Sequence, residues 1–301
     1  MLIKPIVPLS GRQVLPALMI GFMGNNVLPA HLGEFMRVVV LARQHKTPPM
    51  AVLSTVVLER FFDMIALLTI LLFGLLSLKQ LSPAMQTTVI IFAAVVCSVT
   101  VALALFLTFT RLFISIFEWV LKRIPGVPET LIQKVHELLL SAETGLKSLR
   151  DPKLIALILA NSFLQWLLGV LMIAISIWSF DLPVSFLGAA VVMGVTAFAV
   201  MVPASPGFFG VIQASFWFAL QLFGVSQADA FAASIYYHLT QYIPITLVGL
   251  IFLNRTGMSL LQLEQAAEET QHQTEPEAES EQPKPAESLT SDQQQPPEVG
   301  N

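Results

Sequence analysis

Five apolar runs dominate this chain, at residues 50–78, 88–109, 154–180, 184–202 and 228–253. Each is near or above the roughly 20 residues a helix needs to cross a bilayer. Runs of this kind leave few folds open, because backbone polar groups in hydrocarbon must be satisfied inside the segment itself, which selects the helix. The expectation is an all-α, polytopic transmembrane helix bundle. Two shorter runs, 14–30 and 208–223, are interrupted by Gly, Pro and Asn, which predicts broken or re-entrant helices held against protein. With 55% hydrophobic and only 12% charged residues, against about a quarter charged in soluble domains, a water-soluble fold is excluded.

Charge is distributed unevenly. The net charge of -4 hides a basic body, because ten of the 20 acidic residues and two of the 16 basic ones lie from Arg255 onward. Residues 254–301 are rich in Glu, Gln, Pro, Ser and Thr and are expected to form a disordered acidic tail after a transmembrane domain at 1–253. Arg111, Lys122, Arg123, Lys134, Lys147, Arg150 and Lys153 punctuate an amphipathic stretch at 111–153 that reads as interfacial helices. That stretch and 31–49, with Arg37, Arg43 and Lys46, belong on the cytoplasmic side, whereas 79–86 and 179–183 share one basic residue and belong outside. The expected location is the plasma or inner membrane, multi-pass, with the tail cytoplasmic. Cys97 is the only cysteine, so neither an intrachain disulfide nor a Cys-based metal site can form. The opening residues, broken by Pro5, Pro8 and Gly11, do not read as a signal peptide.

Within the run 50–78 stand Glu59, Arg60 and Asp63, each costing about 2.5 to 3.5 kcal/mol at mid-bilayer on insertion scales. Glu59 and Asp63 share a helical face, and Arg60 and Asp63 are spaced to pair. A second cluster precedes it: Asn25, Asn26, Pro29, His31, Gly33, Glu34 and Arg37, with Glu34 and Arg37 again three apart. Such residues either neutralise one another to lock helices together or line a polar path. In the second half, Pro203-Ala-Ser-Pro-Gly207 repeats the Pro-Ala-x-x-Gly pattern of Pro29-Ala-His-Leu-Gly33. Interruptions in matching halves point to a repeat, inverted in the membrane, with a binding site near the midplane. His238, among Tyr236, Tyr237, Gln241 and Tyr242, is expected to be hydrogen-bonded within the bundle.

Asn26-x-x-Pro29-x-x-x-Gly33-Glu34-x-x-Arg37, then Glu59-Arg60-x-x-Asp63, then Pro203-x-Ser205-Pro206-Gly207-x-x-Gly210 resemble, in order and spacing, the flippase-like family defined by the transmembrane region of lysylphosphatidylglycerol synthase. The chain departs from that pattern at three places. His31-Leu32 stands where a basic residue, usually Arg, often precedes the Gly-Glu. Gly207-Phe208 replaces a common Gly-Gly, and Gln213 a frequent Glu.

The resemblance implies translocation of an amphipathic lipid between leaflets, such as an aminoacylated phospholipid or a polyprenyl-linked glycan. The residues it marks for that path are Asn26, Pro29, Gly33, Glu34, Arg37, Glu59, Arg60, Asp63, Ser205, Pro206, Gly207 and Gly210. Arg37 and Arg60 suit a headgroup phosphate, and Glu34, Glu59 and Asp63 a cationic group or a coupling proton. Walker, dinucleotide-fingerprint and His-Glu-x-x-His motifs are absent from the sequence, so no enzyme, cofactor or nucleic-acid partner is expected. Two other readings stand beside transport: an accessory that presents lipid to a separate synthase or glycosyltransferase, and an intramembrane transferase with Glu59 or Asp63 as base.

Overall fold

The computed structural model describes residues 9–29, 31–78, 152–201 and 205–274, with ten single positions between 87 and 123. The run 88–109, the amphipathic stretch 111–153 and the tail from 275 fall outside the described stretches. Among the described residues every regular element is helical: α1 (Gly11–Val27), α2 (Leu32–His45), α3 (Pro49–Leu76), α4 (Pro152–Trp178), α5 (Phe186–Met201), α6 (Val211–Leu220), α7 (Gln227–Thr256) and α8 (Leu260–Thr274). Short 3-10 turns at Pro206–Phe208 and Gln221–Phe223 flank α6.

Three helices are long. α3 has 28 residues, α4 has 27 and α7 has 30, so at 1.5 Å per residue each exceeds a hydrocarbon core about 30 Å thick. Prolines at the start of α3 and Ser226 at the cap of α7, whose hydroxyl accepts from Asp229 N–H, fix where two of them begin. Leu164 and Leu168 on α4, and Leu247 and Ile251 on α7, are all more than half exposed. That outward apolar surface suits lipid rather than water.

The run 184–202, read from sequence as a full span, is shorter in the structure. α5 has 16 residues, about 24 Å; Pro183 precedes it, and a 3-10 turn opening at Pro206 lies beyond it. Trp178 Nε1–H donates to the Val184 carbonyl at 2.9 Å and closes the turn that delivers α5. α5 then doubles back into α6, as α1 doubles back into α2. Both hairpins consist of short helices joined at a proline-bearing break, and each leads into a long helix.

Contacts between the two units are exchanged. α1 packs along α7 and α5 along α3. Asn26, at the tip of the first hairpin, reaches Tyr242 and Thr246 of α7, while a Cβ on Gly249 would strike Met23 and the Met19 carbonyl. Moving from the tip of that hairpin toward its base therefore moves toward the C-terminal end of α7. The second hairpin enters from the N-terminal end of α7, through the link 224–226. On α3, Gly74 meets Leu187 and Val191, and Leu71 meets Gly194, so the second hairpin starts at the C-terminal end of α3 and the first at its N-terminal end. The hairpins enter from opposite ends and meet at their tips, which is an inverted repeat.

One expectation is corrected. The stretch 254–301 was assigned to a disordered tail, yet α7 continues to Thr256 and α8 occupies Leu260–Thr274. α8 lies on α2, and Leu263, Ala266 and Ala267 are buried in a core shared with Val38, Leu41 and Leu253. Its apolar residues recur at helical spacing, Leu260, Leu263 and Ala267, and the Glu and Gln between them face out.

Candidate functional site: a polar belt across the helix midpoints

Glu59 and Asp63 are the eleventh and fifteenth of 28 residues in α3. Asn161, Ser162 and Gln165 fall tenth, eleventh and fourteenth of 27 in α4. His238, Gln241 and Tyr242 fall twelfth, fifteenth and sixteenth of 30 in α7. Both hairpin tips reach this level, so polar groups from five elements gather midway along the long helices.

The first motif forms a cross-linked ion network. Spacing along each helix predicts pairing within it, but the strong pairs run between α2 and α3. Arg37, 7% exposed, makes two hydrogen bonds to Glu59, at 3.2 and 2.7 Å, and Arg60 meets Glu34 at 2.6 Å. Arg60 and Asp63, the pair spaced three apart, are separated by 3.8 Å. Antiparallel neighbours bring opposite charges face to face, and a two-point Arg–carboxylate contact outcompetes a strained contact within one helix. Gly33 lets α1 and α2 close on each other within the hairpin: a Cβ there would strike the Gly21 carbonyl and sit 2.5 Å from the Asn25 nitrogen.

The second motif is tied to α7 by a closed set of hydrogen bonds. Gly210 N–H donates to Gln213 Oε1 at 2.7 Å, which turns the Gln213 amide N–H toward His238 Nδ1 at 3.2 Å. The imidazole therefore carries its proton on Nε2 and donates it to the Gly207 carbonyl at 2.8 Å. His238 is hydrogen-bonded within the bundle, as expected. A Glu at 213 would present only acceptors to Nδ1, so the neutral Gln suits a neutral ring.

The tips touch one another. Gly207 has φ +67°, and a Cβ on it would lie 2.8 Å from the Tyr242 ring and 2.9 Å from the Asn26 carbonyl. Phe208 follows at φ +59°, a left-handed conformation that strains a bulky residue by about 1 kcal/mol or more and that the family's second Gly would adopt freely. Its ring packs on His31, also left-handed at φ +56°, with centroids 5.4 Å apart. Two of the chain's three departures from the family pattern are thus one contact.

Three adjoining spaces lie along this belt. A cavity of about 180 Å³ is lined by Arg37, Thr55, Glu59, Asp63, Asn161, Ser162 and Gln165. A larger open groove, about 600 Å³, shares Leu18, Glu59, Asn161 and Gln165 with it and adds Phe22 and Asn25. On the other side the groove shares Asn26, Phe208, Gln241 and Ile245 with an aromatic cavity of about 220 Å³ beside Trp166, His238 and Tyr242.

Of the twelve residues marked in the sequence, Asn26, Arg37, Glu59, Asp63 and Gly207 line these spaces. Glu34 and Arg60 complete the ion network. Gly33 is buried packing, and Pro29, Ser205, Pro206 and Gly210 are exposed at the two breaks. Ser205 donates its hydroxyl proton to the Phe209 carbonyl at 2.7 Å, so these four shape the chain rather than line the groove. Sequence reasoning missed Thr55 and the α4 row Asn161, Ser162 and Gln165. The signal was present: three polar residues at i, i+1 and i+4 on one face of an otherwise apolar span.

The matches to known proteins agree with the membrane fold. A UPF0104 membrane protein of Methanocaldococcus jannaschii is 25% identical over 228 residues, 75% of this chain and 91% of that protein. A UPF0104 membrane protein of Methanothermobacter thermautotrophicus is 25% identical over 274 residues, 84% of this chain and 78% of that protein. No solved structure matches the chain. The model of the lysylphosphatidylglycerol synthase transmembrane region matches residues 1–249, a length that takes in both hairpins, α3, α4 and most of α7, and the chain belongs to that family.

Proposed function

We propose that this protein moves a polar-headgroup lipid between the leaflets of the plasma or inner membrane, with its C-terminal segment in the cytoplasm. The observation that carries the reading is the groove of about 600 Å³ at the helix midpoints, flanked by the polar cavity at Asp63 on one side and the aromatic cavity at His238 on the other. A headgroup crossing hydrocarbon needs hydrogen-bonding partners throughout, because each polar group left without one costs several kcal/mol, on the order of 2 to 7. The groove offers the amides of Asn25, Asn26, Asn161, Gln165 and Gln241 and the Glu59 carboxylate. Both nearby guanidinium groups already hold carboxylates. That lining favours a hydroxyl-rich or amine-bearing headgroup, such as a polyprenyl-linked glycan or an aminoacyl-phospholipid. The acyl or prenyl chains would stay in the bilayer beside the open side.

Both oxygens of Glu59 accept from Arg37, which supports transport over base catalysis by that carboxylate. A lipid-modifying enzyme or glycosyltransferase would supply or consume the lipid. The test is leaflet-resolved transfer of labelled lipids in vesicles reconstituted with the purified protein. Wild type accelerates transfer, and the double change Asn161→Leu with Gln165→Leu lowers the rate at least tenfold while the protein still melts cooperatively. Wild-type vesicles that behave like empty ones would leave an accessory or transferase role. Product formation from lipid substrates then separates those two.

A further inference from the structure

The charged belt does not balance. Glu34, Glu59 and Asp63 bring three carboxylates to the middle of the bundle, and Arg37 and Arg60 bring two guanidinium groups. Arg37 is bound to Glu59 through two hydrogen bonds and Arg60 to Glu34 at 2.6 Å. Asp63 is left over. It is 3% exposed, and its Oδ2 accepts no hydrogen bond among the described residues. The nearest positive atom, Arg60 Nη1, stands 3.8 Å away on a guanidinium already held by Glu34. A lone carboxylate removed from water is strongly unfavourable unless it gains a positive charge.

The surroundings of that oxygen are built for one. Asp63 lines the cavity of about 180 Å³, space for several waters at about 30 Å³ each. The groups facing the same space are oxygen donors: Thr55, Asn161, Ser162 and Gln165, with Glu59 at the wall shared with the groove. Thr55 gives its hydroxyl proton to the Val52 carbonyl at 2.7 Å, which leaves its oxygen lone pairs free. Ser162, also 3% exposed, faces the same cavity as Asp63. Carboxylate, hydroxyl and amide oxygens are the ligands of hard cations.

We propose that Asp63, with Thr55, Ser162 and the Asn161 amide oxygen, forms a binding site for one monovalent cation, a proton or an alkali ion such as sodium, beside the lipid groove. Occupancy brings the belt from one net negative charge to none. The charged groups that set the field at this site are Glu34 and Arg37 from α2 and Glu59 and Arg60 from α3 itself. The other helices in reach add little: α1 carries only Arg12 near its start, α4 only Lys153 near its own, and α5 no titratable side chain. A cation at the midplane next to the substrate path is placed to couple to transport. That role rests on the transport reading; the binding does not.

The test is thermal unfolding of the purified full-length protein in detergent, without added lipid, in sodium chloride against choline chloride at equal ionic strength, across pH 5.5 to 8.5. A ligand bound only by the folded state raises the midpoint with its concentration, here by about 3 to 10 °C near saturation. If the ion is sodium, the wild-type midpoint climbs with sodium and not with choline. If it is a proton, the midpoint falls as pH rises and ignores sodium. Asp63→Asn removes either response, Ser162→Ala moves it to higher cation concentration, and Asp181→Asn, a carboxylate in the α4–α5 loop, leaves it unchanged. A wild type that responds to neither cation, or an Asp63→Asn protein that responds as wild type does, overturns the site. Because no lipid enters the measurement, a failed transfer assay leaves this result standing, and the reverse holds as well.

Discussion

Arg37 and Glu59 are the residues on which a structural and a functional reading of the belt separate most cleanly. Arg37 is nearly buried and both its terminal nitrogens bind Glu59, so removing Glu59 leaves a guanidinium without its counterpart away from water, whereas removing Arg37 leaves a carboxylate that is 34% exposed at the groove. Glu59→Leu alone is expected to destabilise by about 3 kcal/mol or more and Arg37→Leu by less, whereas the double change removes both charges and recovers most of the larger loss. Detergent melting of the four proteins in this cycle gives the coupling. Transfer assays on the same proteins then decide the role: the folded double variant should lose lipid transfer, because Glu59 lines the groove. Full transfer by that variant would leave the pair as a lock between α2 and α3. Glu59, Arg60 and Asp63 were legible in the sequence as charges inside an apolar run, whereas Glu34 and Arg37, read with 31–49 as cytoplasmic, are brought by α2 to the midpoint of α3. The pairing of these charges was not legible, because spacing along one helix says nothing of which neighbour it faces. The same limit hid Asn161, Ser162 and Gln165, whose meaning depends on α4 closing the groove opposite α1.

Among the elements, α8 was the one the sequence concealed. Its three buried positions, Leu263, Ala266 and Ala267, are few, and the Glu and Gln around them lower the mean hydropathy, so composition alone reads as tail. The helical stripe is nevertheless present, and the surface it covers belongs to α2, which positions Glu34 and Arg37. Ending the chain after Thr274 is therefore expected to leave the melting midpoint unchanged. Ending it after Ser259 strips the cover from α2 and should lower the midpoint by several degrees. Leu263→Ala in the full-length chain, expected to cost about 2 to 5 kcal/mol as a large-to-small change in a packed site, separates loss of packing from loss of the segment. An unchanged midpoint in the protein ending at Ser259 would mean that α8 contributes nothing to the fold. The two hairpins, by contrast, were announced by their breaks: the described residues of the two motifs, from Pro29 to Gly33 and from Ser205 to Gly210, stand where the structure turns the chain back.

For the whole molecule, the inverted arrangement changes where the second break lies in the membrane. In the orientation proposed above, two full crossings by α5 and α6 would bring Ser205 out on the cytoplasmic side; as a near neighbour of Gly207, which meets Asn26 and Tyr242 midway along α7, it is expected to lie between the leaflets instead. In that orientation either path leaves residues 181 and 224 on the outer side, so these serve as references and Ser205 discriminates. In a background where Cys97 is replaced, Asp181→Cys and Gly224→Cys should react with a bulky membrane-impermeant maleimide added outside intact cells. Lys46→Cys should react only after the inner face is opened. Ser205→Cys should resist the reagent from both faces, although the residue is exposed on the protein surface, because that surface meets lipid or the narrow end of the groove. A small permeant thiol reagent should still reach it, which shows that the residue is present and reactive. Rapid labelling of Ser205→Cys from the cytoplasmic face alone would replace the two opposed hairpins with two full crossings, and with them would go the reason for placing the groove at the midplane.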